Sequence, residues 1–204
     1  MAETIVPRHA RAMSDVVEFR QYTLHPGQRD VLADIFLRHF VDSQEAAGMR
    51  ILGVYYDLDR EDRFVWMRSF PDMVARKAAL TRFYFEGEAW RRHGSAANAT
   101  MVDTSDVLLL RPLTELTVPT GPRLVATIQP SAAAMPSGEA ALRLETNPAE
   151  NDFPQLPVRT DGPWLVWLNA FDTDAAQQAY LDTLGLPREW SIRLAPAPVP
   201  SGRG

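Results

Sequence analysis

Few side chains in this 204-residue chain combine a reactive type with a buried setting, and His39 is the first of them. At about 100° per residue, a helix over 27–47 places His39 on one apolar face with Leu32, Ile35 and Phe36. That face should pack on a sheet, where an imidazole can act as a general base or a metal ligand near neutral pH. The alternative is a core histidine that bonds to a tyrosine or a carbonyl group.

Two arginines on predicted strands could assist such a base. Arg20 shares one strand face with Tyr22, and Arg68 shares another with Trp66, because each pair is two residues apart. These side chains could stabilise an enolate. An arginine in a covered sheet is costly unless it is paired, so an ion pair with Glu18 is the structural alternative for Arg20. His39, Arg20 and Arg68 are the predicted catalytic residues.

Aromatic residues cluster around Gly87, where the sequence predicts a break between two helices. A break over an aromatic patch favours the mouth of a ligand pocket, although core packing is the usual role of aromatic side chains. The predicted substrate-binding residues are Tyr22, Tyr55, Trp66, Phe83, Tyr84 and Trp90.

Composition and missing motifs exclude several classes of protein. The chain lacks Cys, HExxH, a glycine-rich phosphate loop and GxSxG, and its four histidines form no i, i+4 pair. We therefore expect no metal and no cofactor. The net charge of -5 argues against nucleic-acid partners, and no apolar run approaches the roughly 18 residues that span a bilayer. The absence of cysteine fits a reducing cytosol, so a cytoplasmic location is expected.

A short pattern occurs twice, at 64–80 and 165–181. Both copies run from an apolar strand with Val-Trp into a helix after Phe, which predicts two related halves. The ungapped identities are Val65/Val166, Trp66/Trp167, Phe70/Phe171, Ala75/Ala176, Ala78/Ala179 and Leu80/Leu181.

Two arginines of the first copy are not retained in the second. Arg68 becomes Asn169, and Arg76 becomes Gln177. The fold can therefore be built without these charges, which favours a functional role for them. Different surroundings in the second half are the competing explanation.

The predicted elements of the first half follow the order β-α-β-β-α-β of a ferredoxin-like unit. The second half repeats this order but lacks its first helix, because 131–138 is short and contains Pro136. Two such sheets can pack face to face and close an α+β barrel within one chain. Homodimer formation stays open. The expected divisions are a flexible arm (1–15), the first half (16–112), a linker (113–122), the second half (123–196) and a flexible tail (197–204).

Three segments resemble the NIPSNAP family: VEFRQYTLHPG at 17–27, AGMRILGVYY at 47–56 and RFVWMRSFPDMVAR at 63–76. SDVLLLRP at 105–112 and Trp90 add to the likeness, which covers 16–112 well and the second half faintly. The resemblance implies the dimeric α+β barrel fold. That superfamily includes cofactor-independent monooxygenases, lactone isomerases, polyketide cyclases and haem-degrading proteins. The family supplies no catalytic residues to carry over.

The resulting hypothesis is a protein that binds a small apolar or aromatic molecule between its sheet and helices. As an enzyme it would perform cofactor-independent proton transfer, namely isomerisation, cyclisation or oxygenation. His39 would then be the base, and Arg20, Tyr22 or Arg68 would stabilise the enolate. The alternative is a non-catalytic binding or assembly protein.

Overall fold

A computed structural model describes residues 15–133 and 140–200, and within them eight antiparallel strands close a barrel. The strands are β1 (Val16–Leu24), β2 (Arg50–Asp57), β3 (Arg63–Phe70), β4 (Met101–Pro112), β5 (Arg123–Pro130), β6 (Leu142–Thr146), β7 (Trp164–Phe171) and β8 (Ser191–Pro196). The helices are α1 (Arg29–Ile35), α2 (Val41–Ala46), α3 (Met73–Thr81), α4 (Glu88–Asn98) and α5 (Asp174–Leu184), with π-helical turns at Phe36–Phe40 and Arg82–Glu86 and a short 3₁₀ turn at Arg188–Trp190. The predicted α+β barrel is confirmed.

Both halves of the barrel have the same strand order. The first half runs β4-β1-β3-β2 and the second runs β8-β5-β7-β6, which is the ferredoxin-like order in each case. Residues 55–57 pair with 194–196, and residues 110–112 pair with 144–146, so the two sheets join at both edges. One chain thus closes the barrel by itself. The matching order is what a duplication requires, while the internal repeat and the homodimer stay predictions.

The strands separate two apolar cores. Alternate side chains of β1, such as Val17 and Phe19, fill the barrel interior, as expected for an eight-stranded barrel. Side chains on the other face of the sheet, such as Tyr22 of β1 and Trp66 of β3, pack against the helices. Tyr22 and Trp66, two of the predicted site residues, therefore face the space between the sheet and its helical cover.

The helical cover differs between the halves. In the first half, α1 and α2 follow β1, and α3 and α4 follow β3. In the second half, α5 follows β7, and residues 131–133 after β5 form a turn. The rest of the predicted helix-free segment, 134–138, lies outside the described residues, as do most of the expected arm and the end of the expected tail.

The repeated strand–helix unit is capped in the same way in both copies. The Asp72 carboxylate accepts a hydrogen bond from the Ala75 amide at 2.7 Å, and the Thr173 hydroxyl accepts one from the Ala176 amide at 3.1 Å. Each cap satisfies an amide that the first helical turn leaves free. The two helices therefore begin at equivalent residues.

Candidate functional site

A cavity of about 310 Å³ lies between the outer face of the first-half sheet and the helices that cover it. Strands β1 and β3 contribute Arg20, Tyr22 and Trp66 to its floor. The exposed Phe85 and Gln155 mark its mouth. The other lining residues are Leu32, Phe36, Phe40, Gln44, Phe83, Tyr84, Trp90, Asn98, Met101, Thr104, Phe153 and Leu156.

Both π-helical turns supply aromatic walls to the cavity. Phe36 and Phe40 come from the first turn, and Phe83, Tyr84 and Phe85 come from the second. Gly87 separates the second turn from α4 in an extended conformation, where a Cβ would collide with the Phe83 carbonyl oxygen. The predicted helix break is thus present beside the cavity, and π-helical turns are frequent at functional sites.

Most of the predicted ligand-contacting residues meet in this cavity. Tyr22 and Trp66 are edge to face with ring centroids 6.1 Å apart, and Tyr84 and Trp90 lie 4.7 Å apart. Phe83 and Arg20 also line the space. The structure brings these side chains together, and their role in binding stays a prediction.

Glu18 lies at the centre of a buried ionic cluster under the cavity. Its carboxylate accepts hydrogen bonds from Arg20 Nη1 at 2.7 Å, Arg68 Nε at 2.7 Å and Arg76 Nε at 2.8 Å. All four side chains are fully buried. Burial by itself would raise the pKa of Glu18, but the charges of Arg68, Arg20 and Arg76 hold that pKa well below its usual range. The Glu18–Arg20 ion pair, which was the structural alternative for Arg20, is therefore present.

The cluster connects several elements of the first half to a loop of the second. Arg76 Nη1 donates to Asp152 Oδ1 at 2.8 Å and to Asn151 Oδ1 at 3.1 Å, both in the loop 147–163. Arg68 Nη1 donates to Gln44 Oε1 at 2.8 Å, which ties α2 to β3. Three guanidinium groups face two carboxylates, so the cluster carries one excess positive charge.

Arg20 connects this cluster to the cavity. Its Nε donates to the Tyr22 hydroxyl at 2.8 Å, while its Nη1 bonds to Glu18. Its Nη2 is buried and has no hydrogen-bond partner among the described residues. The buried Nε1 of Trp66 is likewise unpartnered in the described part of the chain. Two residues that line the cavity thus have a buried N–H donor without an acceptor in the described chain.

Arg68, one of the predicted catalytic residues, does not line the cavity. Its guanidinium donates to Glu18, to Gln44 and to the Met49 sulfur, and it lies 4.9 Å from the Trp66 ring. Arg68 therefore supports Glu18 and the Trp66 ring without contacting the cavity.

The prediction that His39 faces the sheet is wrong. His39 is half-buried outside the cavity and stacks on His93 of α4, with ring centroids 3.8 Å apart. Burial and the neighbouring His93 lower the pKa of His39. The physical reason is the π-helical turn Phe36–Phe40, whose extra residue rotates the helix relative to a 3.6-residue period. The inward positions become Leu32, Phe36, Phe40 and Gln44, at a spacing of four.

Tyr55 does not lie in the cavity either. It packs in the barrel interior with residues such as Phe19 and Val65. Its neighbour Val54 faces the helices instead, because successive strand residues point to opposite faces. Burial raises the pKa of Tyr55 to about 12, so its hydroxyl stays protonated.

Several cavity residues were missed from sequence. The loop 147–163 crosses from the second half and contributes Phe153, Gln155 and Leu156. It is anchored on β4, because the Asn147 and Arg159 amides donate to the Leu109 and Val107 carbonyls at 2.8 Å. No local pattern in this proline-rich loop predicts that it packs on β4 and lines the cavity. The spacing of four from Leu32 to Gln44 was the signal that could have identified Phe40 and Gln44.

Two further sequence expectations concern metals and membranes. Within residues 15–133 and 140–200, no cluster of three His, Asp or Glu side chains is placed to hold a metal ion. No helix in the same ranges has the length and apolar character to cross a membrane.

Comparison with solved structures identifies proteins of the same fold. An anthrone oxidase-like protein matches with a TM-score of 0.56 and 11% identity over 91% of this chain and 92% of that chain. A candidate monooxygenase from Lactobacillus acidophilus NCFM matches at 0.52 and 12% over 89% and 93%. A NIPSNAP family protein from Agrobacterium tumefaciens C58 matches at 0.44 and 15% over 50% and 96%.

The first two matches span the chain and place it among the ferredoxin-like α+β barrel proteins. NIPSNAP family proteins are among its structural neighbours, aligned with half of it. No family model and no curated protein matches the sequence. Because all identities are low, the comparisons concern the fold, and function has to be argued from the site.

Proposed function

We propose that this protein binds a small, largely apolar, ring-bearing molecule in the cavity of its first half. The observation that carries the proposal is that aromatic walls and two polar donors without a partner in the described chain meet in one cavity. Ligand pockets typically combine apolar and aromatic lining with a few placed polar groups, over roughly 300–1,000 Å³. A cavity of about 310 Å³ is at the small end of this range and suits a molecule of one or two rings.

The walls favour a flat, apolar ligand. Phe36, Phe40, Phe83 and Trp90 contact one another at centroid distances between 5.5 and 6.1 Å, so their rings are held in position by mutual packing. Aromatic rings bury a large area and prefer edge or offset contacts with another ring. A ligand ring in the cavity would make contacts of the same kind.

His39 has no role in the proposed binding of the ligand. His39 lies outside the cavity, and the described lining residues include no Asp, Glu or His. Burial raises the pKa of the Tyr22 hydroxyl, which disfavours the phenolate form that could accept a proton. What the site offers is donors for an oxygen atom rather than an acceptor for a proton.

Filling the cavity tests the proposal directly. Leu156→Trp adds bulk to a half-buried lining residue of the loop 147–163, and Val158→Trp is the matched control in the same loop outside the lining. Calorimetric titration with one-ring and two-ring aromatic compounds should show binding to the wild type and to Val158→Trp. Leu156→Trp should lose at least about tenfold in affinity. Equal binding by both variants, or none by the wild type, would refute the proposal.

A further inference from the structure

We propose that the cavity selects ring-bearing monoanions and that Arg20, with Trp66 and Tyr22, binds their negatively charged oxygen. This inference rests on the proposed binding function and names the chemical class of its ligand. The shared chemistry is a single anionic oxygen on a flat apolar body, as in an aromatic carboxylate or a phenolate.

The first argument is the incomplete pairing of Arg20. Its side chain is fully buried, with Nε on Tyr22 and Nη1 on Glu18, and its Nη2 has no partner in the described chain. A buried donor without an acceptor costs free energy, so nearly all such groups in native proteins are satisfied. Because Arg20 lines the cavity, an acceptor on the ligand can satisfy it.

The second argument is the number of donors at the same place. Trp66 is 2% exposed, lines the cavity and has an unpartnered Nε1–H among the described residues. The Tyr22 hydroxyl accepts from Arg20 Nε, so its own hydrogen is available to donate. The Tyr22 and Trp66 rings lie 6.1 Å apart, and the Arg20 guanidinium lies 5.4 and 5.5 Å from them. Three donor groups thus belong to neighbouring side chains that line the same cavity.

The third argument is the sign of the local charge. Arg20 is the one charged side chain among the described lining residues. Behind it, Arg68 and Arg76 are balanced by Glu18 and Asp152, which leaves one positive charge in the buried cluster. A ligand with one negative charge neutralises this excess, and charge-assisted hydrogen bonds are the stronger kind.

The size of the cavity limits the anion. About 310 Å³ accommodates one or two rings with a carboxylate and leaves little room for a phosphate ester with a long chain. A dianion would bring a second charge that the described cluster does not balance.

Matched pairs of charged and neutral ligands test the inference by calorimetric titration at pH 7.5. The probes are benzoate and 2-naphthoate, their uncharged amides, and 4-nitrophenolate as the phenolate. We expect the carboxylates to bind the wild type at least about tenfold more tightly than the amides, because a hydrogen bond to a charged group contributes more. Affinity for 4-nitrophenolate similar to that for benzoate would indicate recognition of the oxygen charge alone, whereas much weaker binding would restrict the ligand to carboxylates.

Arg20→Met should reduce the preference for anions to less than about threefold while the amides still bind. Arg82→Met is the control, since Arg82 carries the same charge on the neighbouring π-helical turn but bonds to the Ala47 carbonyl and does not line the cavity. It should retain the preference. If Arg20→Met fails to fold, Trp66→Phe decides, because it keeps a buried ring and removes one donor, and it should lower the ratio of carboxylate to amide affinity.

The outcomes separate the two proposals. Equal affinity for carboxylates and amides in the wild type would overturn the anion inference and leave the proposed binding function intact. Binding of none of the probes would overturn both. A full preference for anions in both Arg20→Met and Trp66→Phe would remove Arg20 and Trp66 from the anion site.

Discussion

The outer faces of the two half-barrels have the same strand order, but equivalent positions carry charged residues in the first half and neutral residues in the second. Strand register makes the positions comparable: Glu18 lies opposite Arg68 on β3, and Val125 lies opposite Asn169 on β7. By the same register Arg20 corresponds to Thr127, and each lies opposite a tryptophan, Trp66 or Trp167. The buried charges of the first half are thus replaced by neutral residues in the second.

The polar groups at the equivalent positions of the second half have partners within the protein. Trp167 Nε1 and Asn169 Nδ2 both donate to the Tyr180 hydroxyl of α5, at 3.1 and 2.7 Å. Gln177, at the position of Arg76, donates to the Leu124 carbonyl at 2.6 Å and accepts from Arg193. In the first half the tryptophan donor is unpartnered within the described residues and lines a cavity. The strand–helix unit thus has the tryptophan in both halves, whereas the buried charges occur only in the half that contains the cavity.

The largest expected effect comes from removing the centre of the ionic cluster. Glu18→Gln leaves three buried guanidinium groups without their common carboxylate, and breaking a buried ion pair typically costs about 3–5 kcal/mol. Urea unfolding measures this loss. Glu145→Gln is the control, because Glu145 of β6 pairs with Arg111 of β4 at a partly exposed position. This substitution should cost at most about 1 kcal/mol. Equal losses in the two variants would show that the cluster does not stabilise the first half.

The pH dependence of the same variant gives an independent check. Although burial would raise the pKa of Glu18, its three arginines hold that pKa below its usual range. A carboxyl group with a lowered folded-state pKa stabilises the protein above its unfolded pKa of about 4.3, and this contribution is lost as the pH falls further. The stability difference between wild type and Glu18→Gln should therefore shrink below about pH 4.3. A constant difference would contradict the assignment.

Transplanting the neutral face onto the first half should show strong coupling. The combined variant Glu18→Val, Arg20→Thr, Arg68→Asn and Arg76→Gln removes every charge of the buried pair network on β1, β3 and α3. The fully buried charges are gone, and Asp152, which loses its partner Arg76, is 28% exposed. The loss of stability should therefore be smaller than the sum of the four single losses by about 0.5–3 kcal/mol or more. Additive losses in urea unfolding would mean that the four residues act independently.

The two equivalent tryptophans should differ by about one hydrogen bond. Trp66 and Trp167 are both nearly fully buried, but the Nε1 of Trp167 donates to Tyr180, whereas that of Trp66 has no partner in the described chain. Trp167→Phe should therefore cost about 1 kcal/mol more than Trp66→Phe in the absence of ligand. Both substitutions remove the same ring volume, so each is the control for the other. A greater cost at Trp66 would indicate an internal partner for its donor.

The smallest expected effect is at His39. His39→Ala removes a half-buried ring that stacks on His93 outside the cavity. Stability should change by no more than about 0.5 kcal/mol, as for most surface substitutions, and affinity for the aromatic probes should stay the same. Phe40→Ala is the contrasting variant, since Phe40 is buried and lines the cavity. A loss of binding in His39→Ala would restore the discarded role of this residue.

Local pattern was enough to predict the strands and the architecture. Arg20 and Arg68 were expected on strands and lie on β1 and β3, whose alternating and β-branched residues match a two-faced strand. The helix caps at Asp72 and Thr173 and the left-handed Gly48 after α2 are equally local features. Local preference is weaker at the start of β4, where Asp103 and Asp106 are residue types that strands disfavour. Pairing with β1 holds this segment in the sheet.

Local sequence encodes the alternation of strand residues, the strand–helix pattern that occurs twice and the need to pair Arg20 in a covered sheet. Which side chains meet depends on the path of the whole chain. The π-helical turn Phe36–Phe40 directs Phe40 inward and His39 outward. A regular helix of about 3.6 residues per turn would place His39 inward instead. The loop 147–163 reaches Arg76 from 75 residues away along the chain, and only barrel closure brings them together. Contacts of that kind depend on the path of the whole chain, so no local pattern encodes them.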